Sequence, residues 1–425
     1  MKVLIVSNNC LARNNSNGRI LGCLFKNFDK NDISQLYIVP GTNDFDLCAN
    51  FFLISDRMMI SSFLKGRTVG KIVSSNDVKT KEPELSDYRT KFGRSSLTML
   101  CRELLWQSDL WWNKRLKDWL KNTGANVLVF QCGDSPFMYR LVKRIKKYLN
   151  IPVVLFNTEY YYFLKESWLP VKDNKLFFCI FSSILNREIK KSIESADLSI
   201  YNSDWLKEHY DVKFKGVSKV LYQSSDYSNI PIPHESETPN ISYVGNLGFG
   251  RWEPLIEIAN ALKIINKKWK IDVYGVVQSE EVRKMFNETE CLDFHGSVPY
   301  SEAQHVLSRS DLLILAENQK PHFAKATEYG FSGKITDYLY SGIPIFAYGS
   351  DSNVGISYLK ETKSAMVVTD KSDLVDSLKN AVQNEDWRKK TVSTALSVAC
   401  ANHDALKNAR QFKKYLLEVL TNANK

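Results

Sequence analysis

Four residues in one short stretch carry the clearest chemistry of this chain. The segment FSGKITDYLYSGIP, Phe331–Pro344, puts Ser332 and Gly333 at the mouth of a helix, Lys334 just inside it and Asp337 one turn on. Ser341 and Gly342 close the helix before the strand IPIFAYG. A helix N-terminus offers unpaired N–H groups and the positive end of the helix dipole, which suits a diphosphate. Gly333 lets the backbone approach such an anion, Lys334 adds a charge, and Asp337 can accept two hydrogen bonds from a ribose diol. Charge-assisted bonds contribute about 1.5–3 kcal/mol each. The same residues also make a plain helix start with Ser332 as N-cap, and taken alone the stretch leaves both readings open.

The elements that would position these groups follow from hydrophobic patterning. Short apolar runs at 2–7, 35–40, 126–131, 151–156, 197–202 and 218–222 read as buried strands, most of them followed by a turn or cap residue such as Asn8, Gly133 or Ser203. Thr98 to Lys121 reads as one long helix, with Trp106, Trp112 and Trp119 as its core stripe. Leu64 to Arg94 is polar, basic and aperiodic, a loop or insertion. At 226–240 three prolines interrupt the pattern, as in a linker. Six strand patterns then follow (ISYVG, KIDVYG, CLDFHG, DLLILA, IPIFAYG, SAMVVT), with helical stretches between them. The chain is helical from Lys371 onward. Strand–helix alternation in both halves predicts two parallel-sheet α/β domains, with ligands at the carboxyl ends of the strands.

Composition narrows the class. The 425 residues are 44% hydrophobic and 24% charged, which fits globular domains. The eight cysteines are scattered without a C-x-x-C pair, so neither metal spacing nor a disulfide framework is indicated. No run is long and apolar enough to span a bilayer, and MKVLIVSNN reads as a strand rather than a leader. The net charge of +10 lies wholly in the first half, where residues 1–235 hold 34 Lys and Arg against 24 Asp and Glu. Such a face suits an anionic membrane or a phosphorylated acceptor; clusters such as Lys143–Lys147 equally make solvated helix faces.

Several strand-end loops occur in an order that resembles GT-B glycosyltransferases of the family 4 group. They are NSNGR (Asn15–Arg19), YVGNLGFGR (Tyr243–Arg251), DVYG (Asp272–Gly275), FHGSVPYSE (Phe294–Glu302), SDLLIL (Ser310–Leu315) and FSGKITDYLYSGIPIFAYG. The resemblance implies an α/β GT-B fold of two Rossmann-like, doubly wound domains facing across a cleft. These would be an acceptor domain over 1–230 and a donor domain over 240–400, with a final helix in 403–425 returning to the first. It implies that Asp337 contacts ribose, that Ser332, Gly333 and Lys334 hold the pyrophosphate, and that Val298 reads the base. Gly245, Asn246 and Arg251 would lie in the loop that neutralises the leaving diphosphate, and Asn17 and Gly18 would approach the transferred sugar.

The chain departs from that pattern at three places. The acid that should precede Asp337 by eight positions is replaced by Tyr329, with Glu328 one position away, so either Glu328 serves as the sugar-contacting acid through a one-residue shift or that carboxylate is missing. Asn246 stands where many relatives have arginine. All six histidines lie at 209 or later, so the first-domain histidine is missing. Asp134 in QCGDSPF and Glu159 in FNTEYYYF are candidate replacement acids, or helix caps. The run Tyr160–Phe163 suits either an acceptor platform or packing.

The resemblance thus implies a cytoplasmic, metal-independent and cofactor-free enzyme, peripheral on the inner face of a membrane and without a nucleic-acid partner. It would move a hexose from a UDP- or GDP-linked donor to a saccharide or lipid-linked acceptor, with retention, in capsule or lipopolysaccharide synthesis. The rivals are a UDP-sugar epimerase of the same fold and a non-catalytic nucleotide-sugar-binding protein.

Overall fold

The computed structural model describes residues 1–12, 16–75, 94–167, 173–225, 227, 231–232, 238–277 and 279–423. Most of the polar stretch expected as a loop (76–93) and much of the expected linker lie outside the described residues. The chain divides into two compact units, one formed by Met1–Tyr222 with Ala405–Lys425 and the other by Gln223–Asp404.

Unit one holds strands β1 (Val3–Asn9), β2 (Ile33–Val39), β3 (Asn50–Leu53), β4 (Lys71–Val73), β5 (Val127–Gln131), β6 (Val153–Asn157), β7 (Leu198–Tyr201) and β8 (Ser218–Val220). They form one sheet in the order β4-β3-β2-β1-β5-β6-β7-β8, parallel except for β4. Its helices are α1 (Ser16–Leu24), α2 (Asp56–Lys65), α3 (Ser96–Gln107), α4 (Lys114–Thr123), α5 (Pro136–Leu149), α6 (Lys175–Ser195) and α7 (Asp204–Lys213).

Unit two holds β9 (Asn240–Val244), β10 (Lys270–Tyr274), β11 (Leu292–Gly296), β12 (Leu312–Ala316), β13 (Ile345–Tyr348) and β14 (Met366–Val368), ordered β11-β10-β9-β12-β13-β14. Its helices are α8 (Trp252–Ile265), α9 (Glu280–Glu288), α10 (Tyr300–Arg309), α11 (Pro321–Thr327), α12 (Gly333–Tyr340), α13 (Val354–Glu361), α14 (Leu374–Gln383) and α15 (Glu385–Val398). The last helix of the chain, α16 (Ala405–Ala423), belongs to unit one.

In each sheet the order in which strands are added reverses once, between β1 and β5 in unit one and between β9 and β12 in unit two. Such switch points open a crevice at the carboxyl ends of the strands. The strands are buried runs of Val, Ile, Leu and Phe because helices cover both faces of a parallel sheet. In unit one Val129, Phe156 and Ile200 pack with Leu21 and Leu24 of α1 and with Phe412 and Leu416 of α16. Phe25 meets Phe412 edge-on at 5.3 Å.

The structure departs from expectation in several places, β3 among them. The stretch from Leu64 to Arg94 contains β4, which pairs antiparallel with β3, a strand the patterning did not reveal. The long Trp-rich helix is two helices, broken where Asp109 takes φ 57° and Asn113 caps α4 by accepting from Leu116 N at 3.1 Å. Trp111, not Trp112, is the third core tryptophan. It folds back to donate Nε1–H to the carbonyl of Trp106 at 3.1 Å, while Trp112 lies under the Arg144 guanidinium.

The two places where the chain enters and leaves unit two are tied together. His403 is fully buried and donates Nδ1–H to the carbonyl of Gln223 at 2.7 Å, while its Nε2 accepts from the Tyr358 hydroxyl at 2.8 Å. Burial lowers its pKa to about 4, so the ring stays neutral.

Candidate functional site

The densest constellation sits at the switch point of unit two. β9 ends in the loop that carries Gly245, Asn246 and Arg251, and β12 ends directly on Glu317. Arg251 Nε reaches both carboxylate oxygens of Glu317, at 2.9 and 3.0 Å, with side chains only 13% and 4% exposed. Burial works against the guanidinium's charge, but Glu317 and the neighbouring Tyr243 outweigh it and raise its pKa above the usual value. Next to Glu317, Asn318 donates to the Gly250 carbonyl at 2.8 Å and so pins the same loop.

Lys334 enters this cluster from α12. Its Nζ donates to the Tyr243 hydroxyl at 2.8 Å and lies 4.1 Å from the centre of that ring. The side chain as a whole is only half-buried, but its ammonium end lodges on the fully buried Tyr243. That desolvation, with the charge of Arg251 added, lowers its pKa to about 7 although Glu317 opposes the shift. Gly245, at φ 151°, leaves room for Lys334: a β-carbon there would stand 3.1 Å from Lys334 Cδ and 3.2 Å from its Cε and Nζ. Ser332 is the N-cap of α12 but makes no side-chain capping bond, and Gly333 is the first helical residue. The N–H groups of the first turn therefore carry no serine cap, and the site combines a helix N-terminus with two cations.

The other expected donor residues lie as follows. Asp337 is buried on α12 and accepts the hydroxyl of Ser225, from the entering chain, at 2.5 Å. Asn246 takes a local role, since its Oδ1 accepts from Gly248 N at 2.7 Å and folds the loop on itself. Val298 lies half-buried between β11 and α10. Glu328 closes α11, and its backbone carbonyl accepts from Val354 N at 2.9 Å. Glu317, the partner of Arg251, was not among the expected residues. The signal was available: an acid immediately after the apolar run LLILA sits where the strand is still buried, and a buried carboxylate needs a cation.

In unit one Asp134 follows β5 and Glu159 follows β6. Asp134 is buried and ion-paired with Arg94. Glu159 is solvent-exposed in part; desolvation by the groups around it and, second, the charge of Asp134 push its pKa up to about 7. Tyr160 is buried and stacked on Phe163 at 4.1 Å, so it is packing rather than an open platform.

Asn17 and Gly18 lie in the first turn of α1. Gly18 has a structural reason: a β-carbon there would come within 2.6–2.7 Å of the Cys10 carbonyl and of the backbone N and O of Ala12. Gly18→Ala is therefore expected to lose about 1–3 kcal/mol of stability from overpacking against backbone. Urea unfolding at a wild-type midpoint would refute this. Among the described residues, no group of three or more His, Cys, Asp or Glu side chains is placed to hold a metal ion.

No family profile and no curated protein matches this sequence. Solved structures do match along almost the whole chain. Sucrose-phosphate synthase from Thermosynechococcus elongatus aligns over 99% of this chain and 100% of its own, at 11% identity and a TM-score of 0.64. HepE of Anabaena, solved with UDP and glucose, aligns over 98% and 100%, at 11% identity and 0.60. A glycosyltransferase of Rickettsia africae aligns over 99% of each chain, at 13% and 0.58. With two Rossmann-like sheets and these structural counterparts, the chain has the two-domain GT-B fold.

Proposed function

We propose that this chain is a glycosyltransferase that moves a hexose from a nucleoside diphosphate sugar to a saccharide or lipid-linked acceptor. The observation that carries the reading is the pairing of Lys334 and Arg251 beside the N-terminus of α12, at the switch point of unit two. In the transfer, the bond from the anomeric carbon to the diphosphate oxygen breaks and the acceptor oxygen bonds to that carbon. The acceptor's proton passes to the departing diphosphate, whose growing charge the two cations and the helix N–H groups stabilise. HepE was solved with UDP and glucose and with UDP-glucose, which supports a uridine-linked donor. Retention of configuration, synthesis of envelope polysaccharide of capsule or lipopolysaccharide type, and action on the cytoplasmic face of a membrane complete the reading. Among the described residues no helix is long and apolar enough to cross a bilayer, so contact with a membrane would be peripheral, through the basic first half of the chain.

Nucleotide release from a panel of donors, with and without acceptors, tests this. Release that depends on an acceptor supports transfer. Release with no acceptor, or binding without turnover across a broad acceptor panel, defeats it.

On unit one, an acceptor hydroxyl would find a partner in Glu159, which ionises as pH rises through about 7. Acceptor affinity is then expected to improve with pH across that range. Glu159→Gln should raise acceptor KM about tenfold, remove that pH dependence and leave donor binding unchanged. Equal pH profiles for the two proteins would remove Glu159 from this role.

A further inference from the structure

Three neighbouring helices of unit one leave apolar residues in solvent, each on one side of its helix. On α2, Ile60, Phe63 and Leu64 follow i, i+3, i+4 spacing, and Phe63 and Leu64 are 72% and 71% exposed. α3 packs against α2 and against α6. It exposes Leu97 and Leu104, one helical face apart by seven residues, and α6 exposes Leu176 and Ile180. A soluble surface rarely carries so many large apolar side chains together without a partner.

Cations border these side chains. Arg57, Lys65, Arg67 and Lys175 are exposed on or beside these helices. The acids of the three helices are each in an ion pair: Asp56 with Arg102, Glu103 with Arg140, Glu188 with Arg187 and Glu194 with Lys190. Apolar stripes bordered by cations, with each acid of the three helices held in an ion pair and Asp173 just ahead of α6 engaged by Ser96 and Ser167, match a bilayer that carries anionic headgroups.

We infer that α2, α3 and α6 form the membrane-docking face of this protein, with Phe63 and Leu64 entering the headgroup layer of an anionic bilayer. The inference rests on the peripheral reading given above and assigns it a place. The end of α2 suits insertion: its last turn carries both side chains, and Gly66 at φ 63° turns the chain away before Arg67.

Flotation of the full-length chain with phosphatidylcholine vesicles, with and without phosphatidylglycerol, tests the surface. The wild type should float with the anionic vesicles and be released by high salt. Phe63→Ser/Leu64→Ser, altered only where the side chains meet solvent, should keep the wild-type unfolding temperature and lose at least about tenfold in partition. Bimane attached to Cys101 or Cys179, which are exposed on α3 and α6, should shift to the blue on those vesicles, whereas bimane on exposed Cys400 of unit two should not. Undiminished flotation of the double variant overturns this face while leaving peripheral contact through another basic surface intact. A wild type that floats with no vesicle overturns the peripheral reading itself. A wild-type dimer that the double variant dissociates, with no flotation of either, makes the face a contact between copies and sinks the proposal.

Discussion

Replacing Arg251 by alanine is expected to lower kcat by about a hundredfold to a thousandfold, with a smaller change in donor KM. The guanidinium would stabilise charge that becomes fully developed only as the diphosphate departs, and losing one such preorganised donor usually costs that much. The variant has a second effect that must be separated from the first. Glu317 is buried and bonds Arg251 through both oxygens, so Arg251→Ala leaves a carboxylate stranded in a poorly solvated pocket. Breaking a buried pair from one side destabilises by about 3–5 kcal/mol. Arg251→Met/Glu317→Leu removes both charges and should recover most of that stability without recovering turnover. If the double variant regains kcat together with its unfolding temperature, Arg251 acts only by holding the loop. If Arg251→Ala raises KM alone, the guanidinium contributes equally to ground and transition states and its catalytic assignment fails.

The strands of both units were legible because parallel strands buried on two faces are written as unbroken apolar runs. All six strands of unit two appear within two residues of the expected bounds. What escaped was short or peripheral. β3 has four residues and β4 three, with Ile72 of β4 exposed on the antiparallel edge, so neither offers a period to read. The break between α3 and α4 was hidden for a different reason. Trp111 folds back onto the end of α3, and apolar spacing continues in sequence across a point where the backbone turns. Asn113 was the only local sign, a cap residue before LysArgLeu.

The site shows where sequence spacing stops being informative. Lys334, Ser332 and Gly333 stand where a helix start requires them, because their positions follow from a local rule. Asp337, in contrast, lies one turn further along on the buried side of α12, and its partner Ser225 comes from a segment 112 positions away. No local rule connects those two. The same holds for Arg251 and Glu317, which are joined by the crossing of the sheet between β9 and β12. Topology, rather than motif, decides which acid meets which cation.

Lys334 yields the sharpest test because its two pH dependences run in opposite directions. Its folded pKa of about 7 lies well below the ordinary 10.5, through burial first and the nearby Arg251 second. Between those values the unfolded chain holds a proton that the folded protein lacks, so this residue makes stability rise with pH from about 7 towards 10.5. A bound diphosphate favours the ammonium form and raises that pKa. Binding above pH 7 must therefore take up a proton, and affinity should fall by up to about tenfold per pH unit until the pKa of the complex is reached. UDP-glucose is the suitable ligand, since its diphosphate has no group titrating in this range. Calorimetry at pH 8 in buffers of different ionisation enthalpy should show uptake of close to one proton. Lys334→Met should bind about ten- to a hundredfold more weakly at pH 6, from the loss of one charge-assisted contact, and show neither proton uptake nor the decline with pH. Equal affinities of the two proteins at pH 6 would place Lys334 outside the diphosphate site. Proton uptake that persists in the variant would assign the titration to another group.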